Sequence, residues 1–242
     1  MLSKLIKGEL TRLQKYNVTL ITLLVALLWG GMLYFINDDG IFMSILPLIV
    51  LIDVSVMSLM YTGAVLYFEK SESTMPSLLV TPATDQELIL SKIIANVIHQ
   101  TISTLLVVGA FILIRNIEVN LVMLIPLMML IIALHTLLGF VLTYHSKGFT
   151  GMLTNMMVIL IILAVPSVLI TLNVIDPAPW LSYILLLSPI EQATQLINGV
   201  FLETFNLEFF ISILLMMIYF ICIYMFYVKP TYKTFVQKGS GV

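Results

Sequence analysis

The 242 residues are 60% hydrophobic and 10% charged, with a mean hydropathy of +1.11, which excludes an ordinary soluble globular domain and places the chain in a bilayer. The formal net charge of −2 conceals a positional bias, and no nucleic-acid partner is expected. A single cysteine, Cys222, excludes an internal disulfide, and no Cys/His cluster has zinc-ligand spacing.

The first element in chain order is 1–16. Leu2, Leu5, Ile6, Leu10 and Leu13 recur there at helical spacing, with Lys4, Lys7, Arg12 and Lys15 on the other face, predicting an interfacial amphipathic helix on the inner leaflet. The apolar segment that follows is too long for a signal sequence and has no small-residue cleavage site, so no leader is expected to be removed. A span needs roughly 20 apolar residues, and the runs 17–36, 41–68, 88–114, 119–144, 149–172 and 209–228 predict six. Helices are expected because lipid leaves no partner for an unpaired backbone amide and barrel-type alternation is absent.

Asp53 lies near the middle of the second span, where an ionisable group is costly and points to function. It is expected either to pair with His99 or His135 or to be a locally satisfied, protonated carboxyl. Ser55, Ser58 and Thr62 fall on nearly the opposite face, so this span is expected to be buried on both sides.

The loop 69–84 is longer than a connector needs. Ser73 or Thr74 can cap a short helix with Pro76 in its first turn, and Thr81-Pro82 ends it, leaving Leu78, Leu79 and Val80 available to a partner. Thr84 and Glu87 form a capping box that opens the third span.

On that span Lys92, Asn96, His99, Gln100 and Ser103 share a helical face. The stripe reads as lining a path or a subunit interface; interhelical hydrogen bonds that hold the bundle are the plainer alternative. His135, on the fourth span, is expected at the depth of His99. In the fifth, Pro166 predicts a kink, and Asn155 a cap or a bond to a neighbour.

Between spans five and six, the run 180–187 is too short to cross, and Ser188-Pro189-Ile190-Glu191 reads as another capping box with Gly199 as the stop. Two short helices dipping into the outer leaflet are expected. Ten of the eleven lysines and arginines fall on the side of the termini and only Arg115 on the other, which predicts cytoplasmic termini. The expectation is therefore one all-α membrane domain over 1–242: an interfacial helix 1–16, a six-helix bundle 17–228 and a cytoplasmic tail 229–242 in a multi-pass protein of the cell membrane.

Glu69, Lys70, Thr74, Met75, Leu78, Leu79, Val80, Thr81, Pro82, Glu87, Leu88 and Lys92 resemble the loop between spans two and three of the permease subunits of type 2 ABC exporters, with Ser73 where glycine is usual. The resemblance implies that Glu69, Lys70, Thr74, Met75, Leu78, Leu79, Val80 and Thr81 belong to a coupling helix that docks on an ATPase. It also implies two ATPase copies, a second permease, identical or homologous, and a substrate route at the permease interface, for which Asp53, Asn96, His99, Gln100, Ser103 and His135 are the candidates.

No G-x-x-x-x-G-K-[ST] phosphate loop occurs, so no cofactor is expected on this chain, with ATP and magnesium on the partner. H-E-x-x-H and G-x-S-x-G are also missing, so an intramembrane enzyme is not expected. The leading function is ATP-driven export of an amphipathic or apolar drug or peptide. A self-sufficient carrier or channel using Asp53, His99 and His135 is the alternative, and a peptide-binding immunity module a further one.

Overall fold

Helix starts are set by short polar caps at the ends of the apolar runs. Asp38, Asn120 and Asn206 each accept a backbone N–H three residues on, from Ile41 (2.9 Å), Met123 (3.2 Å) and Phe209 (2.9 Å). Thr84 and Glu87 form the expected capping box: the Glu87 carboxylate accepts from the Thr84 N–H at 3.0 Å, and Thr84 Oγ1 accepts from the Glu87 N–H at 3.3 Å.

The computed structural model describes residues 1–242 except 37, 73, 75, 76, 78–80, 116, 173, 177 and 240–242. Among the described residues there is no strand. The order is α1 (Leu2–Lys15), α2 (Val18–Tyr34), α3 (Asp39–Leu51), a π-helical segment (Ile52–Met57) leading into α4 (Ser58–Ser71), α5 (Asp85–Arg115), α6 (Leu121–His145) and α7 (Phe149–Thr171). Then come α8 (Pro179–Leu185), α9 (Pro189–Phe201), α10 (Leu207–Ile223), a second π segment (Tyr224–Val228) and α11 (Lys229–Gly239).

Five continuous helical stretches are long and apolar enough to cross a membrane, and α1 with α2 makes a sixth, bent by 63°. Helix α2 alone has 17 residues, about 25 Å at the α-helical rise and slightly short of the hydrocarbon thickness. The chain is an all-α membrane protein of about six spans.

Helix α6 is the centre. It packs against α4, α5, α9 and α10 and buries Leu124, Met128, Ile131, Ile132, Leu137 and Phe140. Close approach depends on small residues: a Cβ on Gly139 of α6 would lie 2.9 Å from the Leu59 carbonyl oxygen and 2.8 Å from Thr62 Cβ of α4. The α3 to α4 stretch is buried on both sides as expected, since Asp53, Ser55, Ser58 and Thr62 are all inside. Helices α2, α7 and α10 turn Leu27, Leu28, Ile161, Ile162, Leu214 and Ile218 outward, as lipid requires.

Several expectations are corrected. Ser188 does not close a capping box: its N–H already donates to the Leu185 carbonyl at 2.8 Å, its hydroxyl bonds nothing, and Glu191 accepts from Gln195 instead. Gly199 does not stop α9, which runs to Phe201; a Cβ there would meet the Phe209 ring at 2.4 Å, so the glycine admits α10. Glu203, at φ 52°, is the left-handed residue after that helix, and the Thr204 N–H closes back on the Gly199 carbonyl. The last span continues through the second π segment into α11, because Tyr232, Phe235 and Val236, spaced by three and four, bury against α4 and α5.

Candidate functional site

Helix α5 carries buried polar side chains at every fourth position, Lys92, Asn96, Gln100 and Thr104; the first two meet different neighbours and the last two share Asp53. At the end of the bundle where α1 and α11 lie, Lys92 Nζ donates to Glu9 of α1 at 2.9 Å and to Glu69 of α4. Arg12 Nη1 donates to both Glu9 oxygens at 3.0 Å and also to Glu69. Glu69 has no exposed surface, and Glu9 and Lys92 are buried.

The cluster balances two carboxylates against two cations, which is the condition for keeping such charges out of water. Burial opposes the Arg12 charge, but Glu69 and Glu9 outweigh it and raise the guanidinium pKa above its ordinary value. Beside it, Tyr16 Oη donates to Glu72 at 2.9 Å and Lys15 reaches Glu72 at 3.5 Å, fastening the elbow between α1 and α2 to the start of the loop. Partial burial and then the bond to Glu72 push Tyr16 up to about 12.

One turn further along α5, Asn96 Nδ2 donates to Thr136 Oγ1 of α6 at 2.7 Å and to Thr62 Oγ1 of α4 at 3.2 Å. Gln100 Nε2 then donates to both the carbonyl (2.9 Å) and the carboxylate (3.0 Å) of Asp53, and the Thr104 hydroxyl donates to the same carboxylate. Asp53 sits in the first π segment, whose wider turn aims its backbone and side chain together at α5.

The expected pairing of Asp53 with a histidine is not what forms. His135 is fully buried and its Nδ1 lies 2.9 Å from the Ile131 carbonyl of its own helix, with Nε2 unpartnered. His99 turns to the elbow, where Nε2 lies 3.2 Å from Thr19 Oγ1 and the ring stands edge-on to Tyr61. The predicted stripe therefore divides. Lys92, Asn96 and Gln100 face the core, while His99 and Ser103 line a cavity of about 300 Å³ against Leu10, Gln14 and Thr19 of the elbow.

Of the loop positions, Ser73, Met75, Pro76, Leu78, Leu79 and Val80 lie outside the described residues, and with them the expected cap and first turn of the short helix. Thr74 folds back on α4, its N–H and hydroxyl both donating to the Glu69 carbonyl, at 3.0 and 3.1 Å. Lys70 places its ammonium 5.3 Å from the Phe235 ring centre of α11. Thr81 marks the exit from the loop, three residues before the Thr84 cap of α5.

Glu9, Thr104 and Thr136 were not legible as site residues. Glu9 stands among the basic residues of α1, and only its four-residue offset from Leu5 and Leu13 places it on the apolar face; threonines are ordinary in spans.

These features define a polytopic helical membrane protein whose interior polar groups are turned toward one another and away from lipid. The ABC-2 type transporter family matches the chain over residues 5–202, from α1 to the end of α9. The chain belongs to that family and is an ABC-type permease, a membrane component of transport. No curated relative matches it.

Proposed function

We propose that this permease is the membrane-spanning subunit of an ATP-driven exporter in the cell membrane. Both termini are cytoplasmic, the loop 69–84 docks on a separate ATPase, and a second permease with a second ATPase copy completes the working unit and the path. ATP and magnesium are held by the ATPase, and the cargo is an amphipathic or apolar drug or peptide. The family match over 5–202 is the observation that carries this reading.

Two features of the fold support the loop as the coupling element. It leaves α4 two residues after Glu69, which is tied to α1 and α5 through Arg12 and Lys92, and it re-enters at the Thr84 cap of α5. Force applied to such a loop reaches three helices at once. The carrier alternative needs Asp53 within proton-transfer reach of His99 or His135, and Asp53 is instead held by the uncharged Gln100 and Thr104.

The test is Leu79→Glu and Leu78→Glu in the intact transporter. Both variants are expected to insert and fold while ATP-dependent transport and co-purification of the ATPase fall by at least about tenfold, since a charge in a desolvated contact costs more than 1.4 kcal/mol. Undiminished transport would refute the docking assignment.

A further inference from the structure

At the end of the bundle opposite the charge cluster, α9 shows two faces. Ile190, Ala193, Leu196, Ile197 and Val200 enter the core, while Glu191, Thr194, Gln195 and Asn198, spaced by three and four, line a cavity of about 330 Å³. The opposite wall is apolar: Met43 and Pro47 of α3 and Ile170 of α7, with Ser44 the one hydroxyl.

Glu191 is 5% exposed. One of its oxygens accepts from Gln195 Nε2 at 2.9 Å, and the other, Oε2, has no partner. No cation pairs with it among the described residues, in contrast to Glu9 and Glu69, which are held by Arg12 and Lys92. A buried carboxyl group with an unpartnered oxygen and no cation, beside a roomy cavity, lacks a hydrogen-bond donor, and a positively charged donor suits it best.

We propose that this cavity binds the ammonium group of a cationic amphiphile, with the nitrogen on Glu191 Oε2 and its neighbouring donors and acceptors supplied by Thr194, Asn198 and Ser44. The apolar part of the ligand lies on Met43, Pro47 and Ile170. A bare metal ion is the poorer fit, because it would need six or more converging oxygens around a small centre, and the site offers one carboxylate in a much larger space. The proposal deepens the exporter reading, on which it rests only for the ligand being cargo.

Its test reads binding alone, so it stands or falls separately from transport. The full chain in lipid nanodiscs is titrated with benzylamine and with its neutral counterpart benzyl alcohol, against empty nanodiscs. The amine is expected to bind at least about tenfold more tightly than the alcohol, the worth of one charge-assisted contact. Glu191→Gln should abolish that difference. Ser44→Phe, which fills the cavity from α3 and leaves every residue of α9 unaltered, should weaken the amine comparably, so the outcome does not depend on Glu191→Gln folding. Equal binding of amine and alcohol by the unaltered chain overturns the proposal, as does unchanged amine binding in a folded Glu191→Gln. Displacement of the amine by sodium or potassium chloride, but not by choline chloride at the same ionic strength, would assign the cavity to an inorganic ion and also overturn it.

Discussion

Glu69 illustrates how a residue predicted at a docking surface acts from inside. Its carboxylate accepts from both Lys92 and Arg12, with no surface of its own. Removing one member of such a buried set leaves an uncompensated charge, so Glu69→Ala and Lys92→Ala are each expected to lower stability by roughly 3–5 kcal/mol. The double variant should fall well short of the sum, with a coupling of about 0.5–3 kcal/mol. Thermal unfolding of the purified permease in detergent measures the cycle, and additive losses would show that the two do not interact. Lys92 was legible as part of a polar face, and Glu69 as part of a motif. That they meet depends on the depth at which α4 and α5 pass each other, which no local pattern encodes.

At the scale of the element, glycine and capping positions differ in what they permit. Gly139→Ala pushes a Cβ against the Leu59 carbonyl, a backbone atom that can move only with α4, and is expected to cost about 1–3 kcal/mol. Gly109→Ala on α5 meets nothing within 4 Å and should be neutral or slightly stabilising, by about 0.5–1 kcal/mol. The two melting temperatures, measured side by side, test the close approach of α4 and α6.

The Thr84 and Glu87 box makes a prediction in pH. The backbone and then the side-chain bonds from Thr84 hold the Glu87 carboxyl below its ordinary 4.5. A lowered folded-state pKa means that the stabilisation is complete above that value and is lost as the pH falls through the folded one. Protection of the Glu87 and Leu88 amides, taken relative to their intrinsic exchange rate at each pH, is therefore expected to fall on acidification below about pH 4.5 in the native chain and not in Glu87→Gln, where the titrating group is gone. The box was readable from spacing because both partners sit in one turn. The Ser188 box, with the same spacing, fails because Leu185 has taken the N–H that Glu191 needed. Local signatures hold where no neighbour competes for the same donor.

Across the whole molecule, the bundle keeps polar groups on the inner faces of α4, α5 and α6 and gives α2, α7 and α10 to the surroundings. Leu27, near the middle of α2 and 64% exposed, marks that outer face. Leu27→Arg is expected to raise the apparent free energy of inserting this segment by roughly 2.5–3.5 kcal/mol, scored by a glycosylation reporter for membrane integration. Insertion as efficient as the native segment would mean that α2 does not face lipid.

Residence in the bilayer, the number of spans and the loop that resembles a coupling element were all legible in the sequence, because hydropathy, charge and a short motif are properties of residues taken along the chain. The partners of the buried polar groups were decided only by the tertiary structure. The 63° elbow brings Glu9 to Lys92, and the π segment turns Asp53 to Gln100 and Thr104 and away from both histidines. A helix's sequence states which residues share a face, but its rotation and depth against its neighbours come from packing summed over every contact, and those two quantities choose which polar groups meet.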